Sequence, residues 1–126
     1  NVRTTGVRSQ IVFRAALAHE RPQGGRSALQ IMVIAARQIE RVRVTDRAVQ
    51  VTRETPKWSK VVWESPTAFT RVSLLTEDDQ VVDLRLALSG REEPVARALS
   101  PGERAEFART LEGAIRQARR PRFDLA

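Results

Sequence analysis

Val81-Val82-Asp83-Leu84-Arg85-Leu86-Ala87-Leu88, followed past Ser89-Gly90 by Ser100-Pro101-Gly102-Glu103, is the stretch whose reading decides the fold. Val82, Leu84, Leu86 and Leu88 alternate with Asp83, Arg85 and Ala87, the two-residue period of a strand with one buried face. Ser100 and Glu103 have the spacing of a capping box: the serine hydroxyl accepts from the Glu103 N–H, and the glutamate reaches back to the Ser100 N–H. Pro101 stands at the first helical position, where its missing N–H costs nothing. Phe107, Ala108, Leu111, Ala114, Ile115 and Ala118 then share one helical face, with Arg104, Arg109, Arg116, Arg119 and Arg120 at other positions. The spacing predicts a strand over 81–88, a short run over 94–99 and an amphipathic helix over about 101–119.

Towards the N-terminus the pattern is mostly β. Glu77-Asp78-Asp79 is a tight acidic turn, preceded by a strand over 69–76 with Val72 and Leu74 inward. A strand over 58–64 precedes it and bends at Ser65-Pro66-Thr67. Val42 and Val44 alternate with Arg41 and Arg43, Thr45-Asp46-Arg47 turns the chain, and Val49 and Val51 alternate with Gln50 and Thr52. That predicts a hairpin within 40–53. Residues 28–39 are ambiguous: Ala28, Leu29, Ile31, Met32, Ala35, Ala36 and Ile39 favour a short helix, while Val33 and Ile34 fit a buried strand. A first strand is expected within 7–17, then a loop through Pro22, Gly24 and Gly25. The sum is one α+β domain over residues 1–126, an antiparallel sheet or partly open barrel of pleckstrin-homology-like outline, closed by the C-terminal helix.

Composition narrows the chemistry. The chain lacks cysteine, which excludes disulfides, thiolate metal sites and a cysteine nucleophile. The longest uncharged stretch, Ser27 to Ala36, is about half of the roughly 20 residues a bilayer-spanning helix needs. Of the formal charge of +7, residues 1–60 hold ten Arg and two Lys against four acids, whereas residues 61–126 hold ten Arg against eleven acids. A basic first half favours an anionic partner: lipid head groups, nucleic acid or an acidic protein face.

Candidate sites are few. His19 beside Glu20 has the pieces of a general base, but a lone loop histidine is ordinarily solvated. Glu77, Asp78 and Asp79 offer hard oxygens for a divalent cation, although acids are common in hairpin turns; Glu92-Glu93 reads the same way. Gly24-Gly25 lacks the surroundings of a phosphate loop. Trp58 and Trp63, near Lys57 and Lys60, suggest a base-stacking platform, yet their spacing along a strand predicts one core and one rim tryptophan. Arg116 to Arg122 is accounted for by the helix dipole at a C-terminus. The strongest feature is a basic sheet face formed by Arg41, Arg43, Arg53, Lys57 and Lys60. No catalytic residue, metal site or cofactor is expected.

Phe69-Thr70-Arg71-Val72-Ser73-Leu74, Leu84 through Leu99, and Ser100-Pro101-Gly102-Glu103-Arg104 resemble a family of small, uncharacterised proteobacterial membrane proteins. Ala35 to Val42 is similar to that family's exit from its second transmembrane helix into its first cytosolic strand. The resemblance implies two N-terminal transmembrane helices and a cytoplasmic β-rich domain with a C-terminal helix. Two positions depart from the pattern. Phe69-Thr70 stands where the family usually has tryptophan, and Arg21 to Arg26 occupies the place of the transmembrane hairpin. The family brings no activity and no site residues.

Together these features predict a non-catalytic binding or accessory domain, cytoplasmic and membrane-proximal. It would act on an anionic membrane surface or a membrane-protein partner through its basic face. A nucleic-acid-binding protein using the same face is the alternative.

Overall fold

The computed structural model describes residues 12–19 and 27–119, with side chains from Leu29 onward. Strands β1 (Val12–His19), β2 (Ser27–Ala35), β3 (Gln38–Val44), β4 (Ala48–Glu54) and β5 (Ser59–Pro66) form a five-stranded antiparallel sheet in chain order. A short 3-10 turn, Thr67–Phe69, leads to a second sheet of β6 (Arg71–Glu77), β7 (Gln80–Leu88) and β8 (Arg91–Pro94). Helix α1 (Pro101–Arg119) follows. The fold is the expected α+β, antiparallel sheet followed by a C-terminal helix, with the strands in two sheets and no closed barrel among the described residues.

The strands alternate as their sequences require. Ile31 and Val33 on β2, Val42 and Val44 on β3, Val49 and Val51 on β4 and Trp63 on β5 line the inner face, each at most 4% exposed. Leu84 and Leu86 of β7 meet them, and Phe107, Ala108, Leu111 and Ile115 of α1 complete the same core. Burying each large side chain of that set contributes about 1.5–3 kcal/mol. The capping box forms as its spacing predicts: the Glu103 N–H donates to Ser100 Oγ (3.2 Å), and the Ser100 N–H donates to Glu103 Oε1 (3.0 Å).

Three expectations are corrected. Residues 28–39 form strand β2, a turn through Ala36 (φ 53°) and Arg37, and the start of β3. The segment mimics a helix because both of its faces are apolar: Ile31 and Val33 face the core, while Met32 and Ile34 lie half-buried behind them. Its β-branched residues then favour the extended form. No strand covers 94–99. β8 ends at Pro94, and Val95 to Leu99 turn into the helix through Ala96 (φ 60°), held by the Val95 N–H to Leu84 O (3.0 Å). Leu74, expected inward, is 42% exposed; it opposes the buried Leu84, but its own strand lies at the sheet's edge. Residues 7–11 of the expected first strand lie outside the described residues.

Candidate functional site

The register of the first sheet divides the five predicted basic residues. Arg41 opposes Thr52 and Arg43 opposes Gln50, on the outer face. Arg53 opposes Glu40 and shares the inward parity of Val49 and Val51 on its own strand, as Glu40 shares that of Val42 and Val44. Between Val51 and Thr52 the β4–β5 register shifts, with Val62 as the extra residue. Arg53, set opposite Lys60 by that shift, therefore turns away from Arg41 and Arg43.

It belongs to a cross-sheet clamp. Arg53 Nε and Nη2 donate to Glu40 Oε2 (3.1 and 2.9 Å), Nη1 donates to Glu93 Oε2 (2.8 Å), and Nη2 also reaches Pro94 O (2.7 Å). Glu40, 8% exposed, spends its other oxygen on the Ala96 N–H (2.9 Å). Burial pushes the Arg53 guanidinium pKa down, but its hydrogen bonds and charge interactions with Glu93 and Glu40 prevail and hold it above the usual range. A raised basic pKa stabilises the fold below the unfolded-state value and is lost only as pH climbs through the folded one. Arg53 thus stays charged across the ordinary pH range. The cleft beside the clamp, about 260 Å³, is lined by Val33, Gln38, Glu40, Arg53, Glu93 and Arg97. Arg53 occupies both of its carboxylates.

A second tie runs through Trp63. Its ring lies under the guanidinium of Arg91 on β8, 4.6 Å from the centroid, an attractive cation–π geometry. Its indole N–H donates to Ser65 Oγ (2.7 Å), which bonds Thr70 Oγ1 (2.7 Å), and Thr70 donates to Pro66 O (2.6 Å). Trp63 is the core tryptophan and Trp58 the rim one, at 4% and 48% exposure.

On the outer face Arg41 is engaged by Glu54 (3.0 Å) and lies 3.0 Å from Met32 Sδ. Lys57 and Lys60 are exposed at the β4–β5 hairpin tip, where every residue from Pro56 to Val61 is exposed, including Trp58 and Val61 (50%). Thr55 shapes that tip by accepting from the Lys57 and Trp58 N–H groups (both 3.2 Å). The structure therefore brings Lys57, Trp58, Lys60 and Val61 together at the exposed tip, while Arg53, although opposite Lys60 in the β4–β5 ladder, is held by carboxylates.

Asp78 and Asp79 adopt φ of 52° and 64° in the β6–β7 turn, and among the described residues no group of three or more His, Asp or Glu is placed to hold a metal ion. Glu93 serves the clamp, and Glu92 faces Arg85 at 3.4 Å. His19 ends β1 opposite Ser27, and Gly24-Gly25 lies outside the described residues. Two arginines of α1 have unforeseen roles. Arg104 donates to Ala96 O (3.1 Å), Val81 O (2.7 Å), Arg97 O (3.3 Å) and Leu99 O, pinning the loop before the helix. Arg119 binds Thr67 O (3.1 Å) and Thr70 O, rather than its own helix end.

Among known protein families, the one described as "Integral membrane protein (DUF2244)" matches residues 26–115. The chain belongs to that family. The matched stretch runs from the start of β2 to Ile115 on α1, so both sheets beyond β1 and most of the helix are the DUF2244 domain. The resemblance noted at Ala35 to Val42 falls on the β2–β3 turn and β3. Among the described residues no helix is long and apolar enough to cross a membrane. No curated protein and no solved structure matches the chain.

Proposed function

We propose that this DUF2244 domain is a non-catalytic accessory module that meets an anionic membrane surface, on its cytoplasmic side, through the β4–β5 hairpin tip. The carrying observation is the unbroken exposure of Pro56 to Val61, with Trp58 between Lys57 and Lys60 and Val61 directly after them. An indole favours the head-group layer of a bilayer. Each lysine near an anionic surface contributes about 1 kcal/mol, so the pair accounts for about a 30-fold preference over neutral lipid. The family's description as integral membrane proteins supports a bilayer within reach. Arg43 and Arg41, the latter paired with Glu54, lie on the outer face of the same sheet. Arg53, held by two carboxylates, takes no part. A pleckstrin-homology-like outline is part of this reading, supported by two sheets followed by a C-terminal helix.

Co-sedimentation with vesicles tests the reading. Vesicles containing an anionic phospholipid should retain the chain, neutral ones about 30-fold less, and Trp58 emission should shift to the blue on binding. A Trp58→Ala/Lys60→Glu variant should lose both effects while keeping its fold. Equal sedimentation with both vesicle types would refute the reading. Failure to bind vesicles, together with a steeply salt-dependent affinity for DNA or RNA, would assign the same residues to nucleic acid.

A further inference from the structure

β6 is an edge strand without the usual protections. It stands at the end of its sheet, hydrogen-bonded to β7 alone. Six of its seven residues are exposed, among them Leu74 at 42% and Leu75 at 52%. Edge strands are ordinarily blunted by central charges, proline, bulges or shortness. β5 has Lys60, Pro66 and its own bulge residue Val62; β8 has four residues, including Arg91, Glu92, Glu93 and Pro94. β6 has only its terminal charges, Arg71 and Glu77, and the bulge of its ladder lies in β7, at Val82.

The sequence of β6 is complementary to itself when reversed. In an antiparallel pair with a second copy centred on Leu74, Arg71 of each chain opposes Glu77 of the other. Val72 then opposes Thr76, Ser73 opposes Leu75, and Leu74 opposes Leu74. Backbone parity agrees with this register. A two-residue turn with both residues at positive φ makes the flanking Glu77 and Gln80 a hydrogen-bonded pair. Alternation along β6 turns Glu77, Leu75 and Ser73 towards β7 and leaves Thr76, Leu74 and Val72 presenting N–H and C=O groups outward. Those outward groups are the ones the Leu74-centred pairing uses. We infer that β6 is a self-association edge through which two copies of this chain join their three-stranded sheets across a twofold axis at Leu74. The occupant is a second copy because the charges at the two ends of β6 are opposite and equidistant from Leu74, the arrangement a twofold contact requires. The inference is independent of the membrane reading, since β6 and the Lys57–Val61 tip lie on different sheets.

The chain has no cysteine, so a single introduced thiol can form only an interchain disulfide. Opposed residues of a hydrogen-bonded antiparallel pair have Cα atoms about 5.5 Å apart, within disulfide reach. A Leu74→Cys variant should therefore yield a covalent dimer on mild oxidation. A Thr76→Cys variant should not, because its two copies would stand four residues apart along the strands, about 13 Å. Light scattering on the unmodified chain should report a dimer at micromolar concentration. Arg71→Glu and Glu77→Arg should each weaken it, and the two together should restore it. A monomer at every concentration with no Leu74→Cys cross-link overturns the inference. So does cross-linking of Thr76→Cys in place of Leu74→Cys, or a double charge reversal that fails to restore dimerisation while circular dichroism shows it folded.

Discussion

Replacing Arg53 by methionine is expected to destabilise the domain by about 3 kcal/mol while leaving it folded. The substitution keeps most of the side-chain volume but deletes bonds to Glu40, Glu93 and Pro94 O. Glu40, 8% exposed, then retains only the Ala96 N–H. Orphaning one partner of a fully buried pair costs about 3–5 kcal/mol. The Arg53 side chain is 21% exposed, so solvent reaches the site and the lower end applies. For a chain of this size that is a fall of about 10 °C in Tm. Urea unfolding followed by tryptophan emission measures it, because Trp63 is buried in the core and Trp58 already exposed. The double substitution Arg53→Met/Glu40→Met removes the more buried of the two orphaned carboxylates and should cost less than the sum of the two single substitutions. A single-variant loss below about 1 kcal/mol, or strict additivity in the double variant, would refute the clamp.

Leu111→Asp places a carboxylate in a fully buried position of α1 and should cost more than about 4 kcal/mol, read as loss of cooperative thermal unfolding; a folded variant would show that α1 does not close the core. Ser100→Ala removes the capping-box hydroxyl and should lower stability by about 1 kcal/mol in chemical denaturation. Arg104→Met releases the carbonyls of Val81, Ala96, Arg97 and Leu99. A loss of about 2 kcal/mol is expected, with faster amide exchange at residues 95–99.

Where one strong local signal stood unopposed, the sequence was legible to the residue. Ser100, Pro101 and Glu103 placed the helix start, and the Thr45-Asp46-Arg47 turn placed the β3–β4 hairpin. It was ambiguous over residues 28–39 because a strand half-buried on one face and core-facing on the other carries no polar stripe. Arg53 was misassigned by its charge, although its parity was readable. The alternation that turned Val49 and Val51 inward applied equally to Arg53, and the one inward acid of β3, Glu40, stood two residues before Val42. The pairing of Trp58 with Lys57 and Lys60 was visible in sequence. The Val62 bulge, which sets Lys60 rather than Val61 opposite Arg53, is announced by nothing local. Neither Arg104 nor Arg119 was foreseeable as a pin: Arg104 binds carbonyls of the irregular loop just before its helix together with Val81 O, and Arg119 binds carbonyls 52 and 49 residues away.

The two ties that meet at β8 have a consequence in time. Each sheet is a meander of neighbouring hairpins, whose contacts close short loops. The clamp joins residues 40 apart at Arg53 and Glu93 and 56 apart at Glu40 and Ala96. Loop closure over such separations is entropically costly before any contact rewards it. The sheets are therefore local units, and their docking is expected to be the slow event in folding, completed when Arg91 settles over Trp63 and Glu93 reaches Arg53. Bonds formed after the barrier govern how fast a protein comes apart more than how fast it assembles. β8, only four residues long, is thereby expected to set the lifetime of the folded state, and a faster unfolding rate in Arg91→Ala with an unchanged folding rate would show it.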